Sequence, residues 1–231
     1  MTVHDVARVL PDVPSLRNLC RSLAMAEAIV NPEGDERYHT FDPDWSQTEE
    51  LAAMWNGSGD EYAIVFSPAG AYVRGFDHES PLSPYHHDDV PRPWPGVVDS
   101  VPAVFRQYVH EPAFTDEDGT PVVTVCLWHE AGTGRWQAGE IDFPEGHPDP
   151  DGSAWLFELL TDSAPEAFQA FAEDYYETAV DLEAVRHVYR LRPLDRALIA
   201  ALNPTASVKD VVQEALAIDY PVDPALSPET S

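Results

Sequence analysis

The sequence predicts an α+β fold: a mainly antiparallel sheet of about five strands with packed helices and a helical C-terminal part over residues 161–231. Two observations carry this prediction. Alternating apolar and polar runs joined by short glycine-containing turns indicate hairpins, and apolar residues recur at helical spacing near both ends of the chain. The 231 residues suffice for one domain with a substantial core. Residues 1–231 are therefore interpreted as a single α+β domain.

The first third of the chain is predicted to begin with a helix and to end with a hairpin. Ser15 can cap a helix whose apolar residues recur up to Val30, and Asn31-Pro32 ends it. The segments "EYAIVF" and "AYVRGFD" alternate across the short connection "SPAG", which favours a hairpin. Between helix and hairpin, the sequence predicts a strand over 36–42 and a short helix over 46–55.

The rest of the chain is predicted to hold one more hairpin and then mostly helices. The hairpin joins residues 121–130 to 135–143 through "AGTG". Residues 154–160 could be a further strand or the start of a helix. A strand is favoured, because Ser163 and Glu166 then form a capping box for the helix that follows. The other predicted helices cover residues 97–111, 165–177, 182–189, 194–202 and 208–217.

Charge and cysteine usage narrow the possible partners. Thirteen basic and 41 acidic residues give a net charge of −28, which disfavours nucleic acid and anionic membranes as partners and permits a basic protein partner.

The two cysteines, Cys20 and Cys126, lie in a predicted helix and a predicted strand as small core residues, so they predict neither a disulfide framework nor a zinc cluster. The first 15 residues lack a basic region followed by an apolar run, so we expect no signal peptide, and the uncharged run 62–73 is too short to span a bilayer. We expect a cytoplasmic protein without cofactor.

Several enzyme motifs are excluded by their local sequence. Lys209 is the only lysine and has no glycine near it, so there is no phosphate-binding P-loop. Ser58 has glycine on both sides and precedes a strand, unlike the serine of a nucleophile elbow. The glycines of "GTGRWQAG" join two strands and do not form a dinucleotide-binding turn.

The loop after the first hairpin is the main functional lead. Asp77, His78 and Glu79 end a strand, and the loop continues to residue 96 with further histidines, acidic residues and prolines. Such residues can bind a metal or perform acid–base catalysis. The prolines instead favour an ordered structural or partner-binding loop without metal. Tyr85 and Trp94 are its predicted anchors. Asp88 and Asp89 are the predicted polar rim.

A second acidic stretch resembles a calcium-binding loop. With Gly152 at the sixth position, His147, Asp149, Asp151 and Glu158 fall at positions 1, 3, 5 and 12 of an EF-hand. The first position should be acidic, however, and two prolines interrupt the turn. The sequence therefore favours a rigid acidic turn over a calcium site.

The blocks "WNGSGDEYAIVF", "GAYVRGFDHESPLSPY", "WPGVVDSVP" and "GEIDFPEG" carry a resemblance to a known family. Over residues 38–177 the chain resembles a family of uncharacterised soluble bacterial proteins, which implies a shared fold and no particular chemistry. In fold class and charge it is also similar to immunity proteins of bacterial toxin systems.

We therefore predict a non-enzymatic, acidic protein-binding module, similar to immunity proteins, that recognises a basic protein. The alternative is a hydrolase with an acid–base or metal site around Asp77, His78 and Glu79. Carboxylates and a histidine converging in a cleft would favour the enzyme. Their separation on a convex surface would favour the binding module.

Overall fold

The computed structural model describes residues 1–32, 34, 37–86 and 90–226. Within them the chain forms a five-stranded antiparallel sheet whose strands lie side by side in chain order. This confirms the predicted α+β class and the hairpin over residues 61–77. The strands are β1 (His39–Asp42), β2 (Glu50–Trp55), β3 (Glu61–Ser67), β4 (Gly70–Phe76) and β5 (Val125–Glu130).

Helices precede the sheet and dominate the C-terminal part, as the apolar periodicity predicts. They are α1 (Val3–Val9), α2 (Val13–Val30), α3 (Arg106–Val109), α4 (Ser153–Leu156), α5 (Glu158–Thr161), α6 (Pro165–Tyr175), α7 (Leu182–Tyr189), α8 (Arg196–Leu202) and α9 (Val208–Ala217). The three predicted C-terminal helices are confirmed as α7, α8 and α9. In the described part of the chain, no helix has both the length and the apolar character needed to cross a membrane.

The sheet is covered on both faces, and each face has its own apolar core. On one face, side chains such as Ile64 and Val73 pack with α2 and the C-terminal helices. On the other, Val65 and Tyr72 pack with apolar residues between positions 82 and 123, including the fully buried Phe105. The loop and turns after β4 therefore form a structural layer of the protein.

The two cysteines lie in different cores. Cys20, on α2, belongs to the helical side, and Cys126, on β5, belongs to the opposite side. Both are buried and unpaired as thiols, and burial raises the pKa of Cys126 to about 12. They are small core residues, as predicted.

Residues 46–55 do not form the predicted short helix. Glu50–Trp55 is a strand that pairs with β1 on one side and with β3 on the other. Ala52 faces the helical core while its neighbour Leu51 packs against the opposite core. Pairing and burial on both faces therefore override the helix-favouring composition of this segment.

The second predicted hairpin forms only in part. The return segment meets β5 at a single bridge between Trp128 and Gln137. Beyond this bridge the chain leaves the sheet and passes close to the backbone at Gly96. The approach is so close that a Cβ on Gly139 would stand 1.9 Å from the carbonyl oxygen of Gly96. The predicted helix over 97–111 is likewise reduced to α3, because turns occupy the residues before it.

Residues 154–160 form α4 and α5, so the predicted strand is wrong. Gly152 precedes them with φ of +75°. The carboxylate of Asp149 accepts hydrogen bonds from the backbone N–H groups of Ala154 at 3.1 Å and Trp155 at 3.3 Å. Such acceptance of free N–H groups is what starts a helical turn.

Two predicted helix caps also differ. Asp12, and not Ser15, caps α2, because its carboxylate accepts the Ser15 N–H at 2.8 Å. The capping box of Ser163 and Glu166 does not form, and α6 begins without a side-chain cap. Glu166 instead forms an ion pair with Arg186 on α7.

Candidate functional site

The strand end predicted as a functional lead is completed by a residue from the neighbouring strand. Glu61 pairs with Phe76 across β3 and β4, so Asp60, just before β3, lies beside the residues that follow β4. Asp60 is only 5% exposed. Its Oδ1 accepts hydrogen bonds from the backbone N–H of His78 at 2.8 Å and from its ring Nδ1 at 2.6 Å.

The pair of Asp60 and His78 shifts the pKa of both groups. The hydrogen bond to Asp60 holds the pKa of His78 above 6.5, and the charges of Asp60, Glu79 and Asp77 act in the same direction. Burial alone would raise the pKa of Asp60, but the hydrogen bonds from His78 and Asn56 hold it below 3.8. Both groups are therefore charged at pH values between the lowered pKa of Asp60 and the raised pKa of His78.

Asp77 connects this strand end to the acidic turn 147–158. The indole Nε1 of Trp155 donates to Asp77 Oδ2 at 3.3 Å. Gly152 packs directly on Asp77, since a Cβ on Gly152 would stand 2.4 Å from Asp77 Cβ. The Ser80 hydroxyl also donates to the carbonyl of Pro150 at 2.7 Å. The two leads that the sequence presents separately thus form one continuous site.

The aspartates of the calcium-like turn accept backbone hydrogen bonds. Asp149 binds the start of α4, as described above, and Asp151 accepts the N–H groups of Val3 at 2.8 Å and Ser153 at 3.1 Å. Burial raises the pKa of both aspartates. Glu158 is exposed on α5. The aspartate oxygens therefore hold the turn and α1 together.

Asp60, Asp77 and His78 are a possible metal-binding group. Each offers one ligand atom, and these atoms lie within 4.8 Å of one another. The oxygens, however, already accept hydrogen bonds: Asp60 Oδ2 from the Asn56 amide at 2.7 Å, and Asp77 Oδ1 from the Glu79 N–H at 2.9 Å. A cation would have to displace these donors, so the geometry is typical of a hydrogen-bonded cluster.

The other predicted site residues lie apart from this cluster or outside the described residues. Glu79 is exposed, and its carboxylate does not join the group. The Tyr85 hydroxyl donates to Asp116 at 3.3 Å. Trp94 is partly buried against the second core and donates to the carbonyl of Asp142 at 3.1 Å. Both rings therefore hold the loop to the body of the protein. The predicted rim residues, Asp88 and Asp89, lie outside the described residues.

A small cavity adjoins the strand end and shares Trp155 with it. Its volume is about 140 Å³. We call it the aromatic cavity and define it by Tyr38, His39, Tyr62, Trp155, Glu158 and Phe171. The rings of Tyr38 and Phe171 meet edge to face at 5.1 Å, and the His39 ring lies 5.8 Å from Phe171. Sequence reasoning missed this site because its walls come from β1, β3, α4, α5 and α6.

Behind the cavity lies a buried carboxylate that sequence reasoning also missed. Glu27 on α2 is fully buried. It accepts hydrogen bonds from the His39 N–H at 3.0 Å, from His39 Nδ1 at 2.5 Å and from the Tyr176 hydroxyl at 2.9 Å. A signal was present, since Glu27 is the only charged residue in the apolar run 22–30.

Comparisons with known proteins were made by family models, by curated sequences and by solved structures, and none of the three found a significant match.

Proposed function

We propose that this protein binds a basic protein partner and that the acidic surface around the aromatic cavity is its contact surface. This acidic rim consists of the carboxylates of Asp77, Glu79, Asp149 and Glu158. The residues come from three separate segments, the end of β4, the acidic turn and α5. In the described part of the chain, no Arg or Lys forms an ion pair with them. The charge of the N-terminal ammonium acts on Asp149, and His78 adjoins Asp77 and Glu79. The four carboxylates still outnumber these two groups, and a rim of predominantly negative charge attracts a partner of opposite charge.

Trp155 is the single observation that favours this surface over the rest of the acidic exterior. It is 39% exposed, and tryptophan is among the residue types enriched at interface positions that dominate binding energy. Trp55 is more exposed, at 56%, but it is the indole of Trp155 that donates to a rim carboxylate, that of Asp77. Trp94, the anchor expected from the sequence, is partly buried and packs inward. The proposed interface therefore centres on Trp155 rather than on the proline-rich loop.

The hydrolase alternative has weaker support. Of its three groups, Asp77 and His78 lie together, but the carboxylate of Glu79 does not join them. The ring Nδ1 of His78 is engaged by Asp60, and the imidazole lies at the surface with 45% of its side chain exposed. Acid–base catalysis needs convergent groups in a cleft.

The proposal is tested with immobilised protein and lysate of the source organism at low and moderate salt. A variant that removes the two exposed glutamate charges of the rim, Glu79→Gln with Glu158→Gln, should lose most of the captured protein. The matched control, Glu117→Gln with Glu140→Gln, removes two exposed charges elsewhere and should retain it. Capture should also weaken as salt shortens the Debye length from about 30 Å at 0.01 M to about 8 Å at 0.15 M.

Three outcomes would contradict the proposal. Equal loss in both double variants would mean that net charge and not the rim attracts the partner. Capture of nucleic acid instead of protein would overturn the partner class. If the unmodified protein shows no salt-sensitive capture, the net charge of the protein would have no role beyond solubility.

A further inference from the structure

We infer that the aromatic cavity is a subsite for one arginine side chain of the basic partner. This inference rests on the proposed function, because it names the group through which that partner is held. The cavity volume of about 140 Å³ is well below the roughly 300–1,000 Å³ typical of sites for drug-sized ligands. It corresponds to about four or five waters at ~30 Å³ each, which is the scale of a single side chain.

The walls of the cavity have the chemistry that a guanidinium group binds. Tyr38, Tyr62, Trp155 and Phe171 present aromatic rings. A cation within about 6 Å of such a ring is attracted by its quadrupole. A guanidinium is planar, stacks on these faces and is more weakly hydrated than an ammonium, so it loses less on entering an apolar site.

Polar groups in the lining are available to accept hydrogen bonds. Tyr62, which is 2% exposed, contributes its phenol to the lining, and a phenol oxygen can accept a hydrogen bond. At the mouth, the carboxylate of Glu158 adds a charged acceptor. Five N–H donors of one guanidinium match such a scattered set of acceptors.

The electrostatic surroundings select a cation. Among the residues that the structure describes, the lining contains no Arg or Lys, while Glu27 lies directly behind His39 and Glu158 lies at the mouth. Burial and the neighbouring Tyr175 are the main causes that raise the pKa of the Tyr38 phenol, and the negative charges of Glu27 and Asp60 raise it further. The electric field of these carboxylates therefore reaches the cavity wall. An anionic occupant would meet repulsion from the same groups.

The test uses three small probes: the N-acetyl N-methylamides of arginine, of citrulline and of lysine. Citrulline has the shape of arginine without its charge. Binding is followed by NMR chemical shifts of the unmodified protein. The arginine probe should shift resonances of Tyr38, Trp155 and Phe171 saturably, with a Kd on the order of millimolar for so small a ligand. The citrulline probe should bind at least about tenfold more weakly.

Two variants locate the binding. Trp155→Leu should weaken the arginine probe at least about fivefold, and Glu158→Gln about threefold. Glu158 is exposed, so the second variant keeps the inference testable if the first does not fold. Glu117→Gln is the control and should leave the affinity unchanged.

The outcomes separate this inference from the proposed function. Equal binding of citrulline, or shifts scattered away from the cavity, would overturn the arginine subsite, and equal binding of lysine would overturn the preference for guanidinium. If the unmodified protein shows salt-sensitive protein capture that the rim variant loses, while the arginine probe never binds, the subsite fails and the proposed function stands. If the probe binds the cavity and no protein is captured, the subsite stands and the protein partner fails.

Discussion

Removing the buried carboxylate of Glu27 is the sharpest available perturbation of this fold. Glu27→Ala removes the shared acceptor of three hydrogen bonds, two from His39 and one from Tyr176. Each buried donor left without a partner costs about 1–3 kcal/mol. Breaking a buried pair by removing one member typically costs about 3–5 kcal/mol. We expect a loss of about 4 kcal/mol, because the Tyr176 hydroxyl can reorient while the His39 backbone cannot.

Two milder variants show which part of the effect comes from hydrogen bonding. Glu27→Gln keeps the volume and one acceptor oxygen, so we expect a loss of about 1–2 kcal/mol. Tyr176→Phe removes one donor and leaves the other two bonds, so about 1 kcal/mol should be lost. Glu183→Ala, an exposed glutamate on α7, should change stability by less than about 0.5 kcal/mol.

Urea unfolding at pH 7, followed by circular dichroism and extrapolated linearly, measures these differences. The measurement has one complication, since a loss near 4 kcal/mol is a large share of the ~5–15 kcal/mol typical of a domain. The baseline of Glu27→Ala therefore has to be recorded at low temperature as well. A loss below about 1 kcal/mol in Glu27→Ala, or equal losses in Ala and Gln variants, would refute the role assigned to the network.

Three further predictions concern the strand end. The contribution of the Asp60–His78 pair to stability is lost as pH rises from 6.5 through the raised pKa of His78. It is also lost as pH falls from 3.8 through the lowered pKa of Asp60, so it is greatest between pH 3.8 and 6.5. NMR titration should show that Asp60→Asn lowers the pKa of His78, and an unchanged pKa would contradict the pairing. Gly152→Ala should cost about 1–3 kcal/mol, because it combines a positive φ with a collision against Asp77. Gly146→Ala, with positive φ and open space, should cost less, and equal costs would mean that the collision does not matter. Protein purified without chelator should contain no stoichiometric zinc, manganese or calcium, and EDTA should leave the thermal midpoint unchanged; a drop of several degrees would show a bound ion.

Features set by neighbouring residues could be predicted from the sequence. The hairpin of β3 and β4 follows from alternation and a short turn, and α7 to α9 follow from apolar spacing. This reasoning fails for residues 46–55. Their composition favours a helix, but Glu50–Trp55 pairs with a strand on each side and is itself a strand. Local preference is weak compared with pairing and burial.

The candidate site was only half predictable for the same physical reason. Asp77 and His78 were found because they follow a strand, and the register of the hairpin would have added Asp60. The aromatic cavity needs β1, β3, α4, α5 and α6 to be placed together, which no spacing along the chain indicates. A charged residue inside an otherwise apolar helical run, such as Glu27, is the one sequence signal that points toward it.

The helical layer of the sheet has a consequence for synthesis on the ribosome. Helix α2 packs against β1 and against α7 and α9. The first long helix to be synthesised therefore gains its full set of contacts only after some of the last segments of the chain have been made. About 150 residues separate the end of α2 from the start of α7, which is roughly 8–30 s of translation at ~5–20 residues per second. During that interval the apolar side of α2 lacks its final cover and is open to chaperones or to other nascent chains. Completion of this fold is therefore a late event in synthesis, and slow translation near the 3′ end of the message would prolong its most vulnerable stage.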